Sequence, residues 1–73
     1  MDSGYPWCSF LLDTEIIEVK HVSEWKSAMG QVLAYSGFYP EHHKRIHLFG
    51  RDGEMISATA VTICFELDIA VTF

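Results

Sequence analysis

Between Cys8 and Lys20 the chain reads in a period of two. Phe10 and Leu12 lie on one side of Ser9 and Leu11, and Ile17 and Val19 lie on one side of Glu18 and Lys20. Alternation of this kind belongs to strands, whose successive side chains point to opposite faces. Asp13-Thr14 in between has turn chemistry and β-prone flanks. The pattern predicts a hairpin of Cys8 to Leu12 and Glu15 to Lys20. With Asp13-Thr14 as its turn, Leu12 pairs with Glu15, Leu11 with Ile16, Phe10 with Ile17 and Ser9 with Glu18. Cys8, Phe10, Ile17 and Val19 then make one wholly apolar face. The other face starts apolar at Leu11 and Ile16 and turns polar at Ser9, Glu18 and Lys20. A sheet covered by helices on both sides needs two apolar faces, so this polar corner is the exception, and exceptions of this kind mark sites.

The period then changes. Ser23 is placed as an N-cap, with Glu24 in the first turn where the helix dipole favours an anion. Trp25, Ala28, Met29, Val32, Leu33 and Tyr35 share one helical arc, which predicts an amphipathic helix on a core. Gly37 and Pro40 mark its end. Gln31 falls at the rim of the buried stripe beside Tyr35, directed at a cleft between helix and sheet or simply solvated. Glu41 to Arg45 reads as a polar connector, Arg45 to Phe49 as a short strand, and Gly50 to Gly53 as a turn carrying Asp52-Gly53. A strand, a helix and a second strand in succession predict a parallel pair with a right-handed crossover.

The last third carries two patterns at once. Val61, Ile63, Phe65, Leu67, Ile69, Val71 and Phe73 alternate, while Ile56, Ala60, Ile63 and Leu67 recur at helical spacing. Strands mostly run about 5–6 residues, so the reading is a helix from Glu54 to Glu66 followed by a strand from Asp68 to Phe73. The predicted fold is α/β: a small mixed four-stranded sheet, built from an N-terminal β-hairpin and then helix, strand, helix, strand, flanked by two helices.

Composition narrows the partners. Seventy-three residues, 49% of them apolar, form one globular domain near the lower size limit. Apolar surface left over in so small a chain predicts a homo-oligomer. An N-terminal strand edge with Tyr5, Trp7 and Phe10 beside it is the expected contact. A net charge of −5 offers no general attraction to phosphates or acidic lipids. Nucleic-acid contact therefore falls to the one cationic run, His42-His43-Lys44-Arg45, in which Lys44 and Arg45 are the candidates. Cys8 and Cys64 read as reduced thiols rather than a disulfide framework. No apolar run reaches the ~20 residues of a membrane span, and the chain reads as soluble and intracellular. The four histidines fit no zinc spacing.

The triplet Glu18-Val19-Lys20 on a hairpin strand, followed by the helix Trp25-Lys26-Ser27-Ala28-Met29-Gly30-Gln31-Val32-Leu33-Ala34-Tyr35, resembles the PD-(D/E)xK nuclease superfamily. Ile46-His47-Leu48-Phe49 and Ile69-Ala70-Val71-Thr72-Phe73 are similar to the later strands of that restriction-endonuclease-like core. The resemblance runs from residue 8 to 73 and implies Mg²⁺-dependent hydrolysis of phosphodiester bonds in DNA or RNA. It implies Glu18 as metal ligand, Lys20 as the cation that orients the attacking water, and Gln31 as a helix-borne site residue. The family's second carboxylate belongs opposite the Glu, where the pairing puts Ser9. The family's first helix has no counterpart. Those departures imply a weakly held Mg²⁺, and they leave open a catalytically inactive fold kept for binding or oligomerisation. Glu18 and Lys20 also read, without any resemblance, as a plain ion pair.

Overall fold

The computed structural model describes residues 8–51 and 54–73, and only the backbone of Cys8 and Glu54. The elements are β1 (Cys8–Leu11), β2 (Glu15–His21), a 3₁₀ turn (Val22–Glu24), α1 (Trp25–Ser36), β3 (His43–Phe49), α2 (Glu54–Glu66) and β4 (Ile69–Thr72). They form a four-stranded mixed sheet in the order β1-β2-β3-β4, with two helices. The expected contributions of Tyr5, Trp7 and the Asp52-Gly53 turn lie outside the described residues.

The hairpin closes as its alternation requires. Leu12 N–H donates to the Glu15 carbonyl at 2.8 Å, and Ser9 pairs with Glu18, Phe10 with Ile17 and Leu11 with Ile16. β2 then runs parallel to β3, with Glu18 beside Ile46 and Lys20 beside Leu48. β3 runs parallel to β4, with Ile46 beside Val71. β3 starts at His43, two residues earlier than its apolar pattern shows, because His43 N–H donates to the Thr14 carbonyl at 2.8 Å and extends the ladder past the apolar stretch.

Helix boundaries show where local rules were overridden. The His21 ring, not Ser23, caps the 3₁₀ turn: its Nδ1 accepts from Ser23 N–H at 3.1 Å. α1 starts at Trp25 behind Glu24, which makes no capping bond with its side chain. Gly37 ends α1 in right-handed geometry (φ −63°), so no left-handed glycine stop is involved. At the end of α2 the left-handed position is taken by Asp68 (φ 60°), one of the few side chains that tolerate it. Gly50, at φ 93°, closes β3 where an added Cβ would run into the His21 ring.

Both helices lie on one side of the sheet. Lys20 and Glu18 reach α1 residues, Ile46 and Val71 share their face by register, and buried Ile69 shares a single core with Ala60 and Cys64 of α2. Ile16, Val22, Trp25, Ala28, Val32, Ile46 and Leu48 complete that core, with Met29 partly buried against it. The helical spacing of Ala60 and Cys64 thus outweighs the alternation of the same segment. The opposite face carries Phe10, Ile17, Val19, His47, Phe49, Ala70 and Thr72, and no described helix covers it. Among the described residues no helix is long and apolar enough to cross a membrane.

Candidate functional site

The polar corner of the hairpin is buried under α1. β2 supplies Glu18 and Lys20, which are 0% and 2% exposed. β1 supplies Ser9, and α1 supplies Ser27 and Gln31, one helical turn apart and therefore on one face. Ser9 Oγ donates to Glu18 Oε2 at 2.6 Å. Ser9 and Glu18 form a non-hydrogen-bonded pair in the ladder, the kind whose side chains approach most closely. Lys20 Nζ donates to Ser27 Oγ at 2.8 Å. With its nitrogen turned to the carboxylate, the Gln31 amide donates to Glu18 Oε1 at 2.9 Å and accepts from Lys20 Nζ at 3.3 Å. Burial pushes the Glu18 carboxyl above its ordinary range, and the Ser9 hydrogen bond and the Lys20 charge pull it partly back.

The sequence-predicted trio Glu18, Lys20 and Gln31 is therefore brought together, with Ser9 where the register puts it. Ser27 was missed, although its spacing from Gln31 is a readable signal. What the cluster can do chemically is limited by how it is filled. Both oxygens of its one carboxylate are already accepting hydrogen bonds, and no water-accessible face remains on Glu18. Mg²⁺ takes near-octahedral oxygen ligands and keeps several waters. Those needs do not fit a single, fully buried carboxylate whose two oxygens are already occupied. Among the described residues, no group of three His, Cys, Asp or Glu side chains is placed to hold a metal.

A second feature lies at the turn end of the sheet, where β1 and the C-terminal end of α1 diverge. Ser9, Phe10, Leu11, Ile16, Tyr35 and the exposed pair Phe38-Tyr39 line an apolar cleft of about 320 Å³. Tyr35 lies one turn beyond Gln31, so Ser27, Gln31 and Tyr35 form a stripe that runs from the polar cluster into this cleft. The cationic run begins alongside. Lys44 pairs in register with Ile16, a cleft residue, and the His42 ring stacks at a tilt on Tyr39 with centroids 5.2 Å apart. Arg45 is on the other face, 2.7 Å from Glu15 at an angle that makes the contact Coulombic rather than hydrogen-bonded. Half-exposed and paired, Arg45 is less available to a phosphate than Lys44 or the exposed His43.

The chain is 41% identical over 69 residues, 94% of its length, to a protein of Acanthamoeba polyphaga mimivirus named as KilA-N domain-containing protein R878. Two further proteins of that virus, likewise named for a KilA-N domain, match at 44% over 39 residues (L33) and 42% over 43 residues (L32), which is 53% and 59% of the chain. The chain spans 18%, 16% and 12% of the lengths of these three relatives. No family model matches it. No solved structure matches it either.

These relatives correct the nuclease expectation. They are named for a family other than PD-(D/E)xK, and neither that superfamily, nor a hydrolase function, nor magnesium is supported by them. The Glu-x-Lys triplet misled for a physical reason. A carboxylate and an ammonium two residues apart on a covered strand also arise when the two charges satisfy each other and their neighbours inside the core.

Proposed function

We propose that this chain is a non-catalytic binding module, with nucleic acid as the partner class. The observation that carries the first half is the closed state of the polar cluster: Glu18 is 0% exposed and its oxygens are held by Ser9 and Gln31. A metal-assisted phosphodiesterase needs that carboxylate open to an ion and a water. Instead the network ties β1, β2 and α1 to one another, and its role is to position them.

The second half is supported by the KilA-N names of the relatives, KilA-N being a DNA-binding family. Locally it is supported by the aromatic cleft beside the cationic run. Single strands bind where bases stack on aromatic side chains next to positive charge, and such stacking is sequence-tolerant. Phe38, which is 80% exposed, and Tyr39 supply rings, while Lys44, on the cleft side of β3, supplies charge, and Arg45 points to the opposite face. Against a net charge of −5, such contact is weak and strongly salt-dependent.

Fluorescence anisotropy of labelled single- and double-stranded oligonucleotides at low salt tests this. Binding without strand scission is expected, with or without Mg²⁺, weakened by Phe38→Ala and Lys44→Ala and favouring the single strand. No anisotropy change up to about 100 μM, a concentration typical of the weakest non-specific binding, overturns the nucleic-acid half. Mg²⁺-dependent scission lost in Lys20→Ala overturns the non-catalytic half.

A further inference from the structure

β1 is an edge strand in the order β1-β2-β3-β4, and its free side can be read atom by atom. Leu12 N–H points at β2, since it donates to Glu15. In an antiparallel ladder the direction alternates, so Phe10 and Cys8 also bond inward, while the N–H and C=O groups of Ser9 and Leu11 point away from β2. Among the described residues none is placed to receive them. The segment Cys8 to Leu12 holds no charge, in a chain whose net charge is −5. Nor does it carry the lysine, proline or bulge with which soluble proteins blunt a bare edge. Its side chains remain in water: Phe10 is 46% exposed, Leu11 52% and Leu12 49%.

From this we infer that β1 pairs with β1 of a second copy, antiparallel about a two-fold axis through Phe10. A register centred on that residue is the one that pairs the outward-facing groups of Ser9 with those of Leu11. It sets Ser9 opposite the partner's Leu11, and Leu11 opposite the partner's Ser9, as two hydrogen-bonded pairs. The two Phe10 side chains then meet in a non-hydrogen-bonded pair, where Cα atoms approach to about 4.5 Å, and stack across the strands. Cys8 faces the partner's Leu12. Every pair is uncharged, so a chain whose net charge of −5 repels its own copies meets itself along a neutral edge. Such a contact is isologous. It joins two four-stranded sheets into one and sets the two aromatic clefts on either side of the axis, on the helix-bearing face. An extended apolar peptide from another protein would use the same edge, but nothing on it selects a foreign sequence over β1 itself. The inference does not rest on the nucleic-acid reading and survives its failure.

The test combines mass with cross-linking. Light scattering or sedimentation of the chain from low to high micromolar concentration should show the mass double. Leu11→Pro removes one outward N–H and none of the bonds to β2, which is where an edge strand accepts proline. It should weaken the dimer at least tenfold while leaving the circular dichroism unchanged. In a Cys8→Ser background, Phe10→Cys should oxidise to a covalent dimer, because Cα atoms about 4.5 Å apart suit a disulfide. Ala70→Cys, on the opposite edge strand, should not, and Cys64 is buried and silent. If Leu11→Pro fails to fold, the two cysteine variants decide. A monomer mass at every concentration, or Ala70→Cys cross-linking as fast as Phe10→Cys, overturns the proposal.

Discussion

The two faces of the β1–β2 hairpin reverse the usual arrangement. The face under α1 carries Ser9, Glu18 and Lys20, while the face turned away from both helices carries Phe10, Ile17 and Val19. Beyond Ile16 the covered face carries buried charge, and beyond Glu15 the uncovered face carries apolar side chains. Hydrophobicity alone would have put the helices over the other face. The connections prevent it, because α1 and α2 both pack on the side shared by Ile16, Ile46, Leu48 and Ile69. Once Glu18 and Lys20 are on that side, each has to find partners among Ser9, Ser27 and Gln31, since an unpaired buried charge costs several kcal/mol. The difference between the faces separates two kinds of constraint. The inner polar groups are held by mutual satisfaction under α1, whereas the outer apolar side chains of β1 are left to solvent.

Removing one member of the inner network is the harshest way to break that contrast. Lys20→Met keeps the stem and deletes the cation, leaving Glu18 buried without its counter-charge. About 3–5 kcal/mol of stability should be lost, which urea denaturation measures. The double variant Glu18→Met with Lys20→Met should recover much of that loss, because replacing both charges leaves no unpaired one. A single variant as stable as the parent would mean that the ammonium is not needed inside.

Ser9→Ala is expected to be the next largest. It deletes a charge-assisted hydrogen bond of 2.6 Å, the class worth about 1.5–3 kcal/mol, without touching the backbone ladder. A change below about 0.5 kcal/mol, the size of an ordinary surface substitution, would show that water replaces the hydroxyl and that the cluster is wetter than its burial implies.

Much of this architecture is legible in the residues, and the failures are instructive. The Asp13-Thr14 turn fixes the pairing of Ser9 with Glu18, because a two-residue loop leaves no freedom in register. The helix from Glu54 to Glu66 is readable from Ile56, Ala60, Ile63 and Leu67 at helical spacing, although the face it buries runs through Ala60 and Cys64 and leaves Ile63 and Leu67 exposed. What Glu18, Lys20 and Gln31 do together is a different matter. Their convergence follows from strand and helix periodicity, but whether the carboxylate is open or closed depends on Ser27, on the Gln31 amide and on how closely α1 lies over the sheet. None of these is a property of local sequence. The aromatic cleft was missed for a related reason: Tyr35 reads as a core residue, and Phe38 and Tyr39 read as loop, until the end of α1 is set against β1.

The third prediction concerns protons. Burial raises the Glu18 carboxyl in the folded protein, so the native state keeps that proton to higher pH than the unfolded chain does. Stability from this group is then fully present below the ordinary glutamate value of about 4.3 and is lost as pH rises through the folded-state value. This runs against the usual effect of salt-bridged carboxylates. Glu18→Gln cannot ionise and lacks the dependence. The stability of the parent chain relative to Glu18→Gln should therefore fall with rising pH in the window that opens at about pH 4.3, in urea titrations at constant ionic strength. A relative gain across that window would mean that Lys20 and Ser9 outweigh desolvation.

The smallest effect belongs to the outer face, where its size depends on assembly. Phe10 is 46% exposed and makes none of the core contacts, so in a monomer Phe10→Ser should change stability by no more than about 0.5 kcal/mol. Stability that includes association depends on protein concentration, whereas folding of a monomer does not. If β1 pairs with itself, Phe10 lies on the two-fold axis, and both copies of the ring are lost at once in the variant. The difference between parent and Phe10→Ser should then grow with concentration, from within error at sub-micromolar to measurable at high micromolar. Thermal melts across that range separate the cases. A constant difference makes the outer face inert and leaves the contrast between the faces one of solvation alone, and a rising one shows that the exposed apolar strip has a partner.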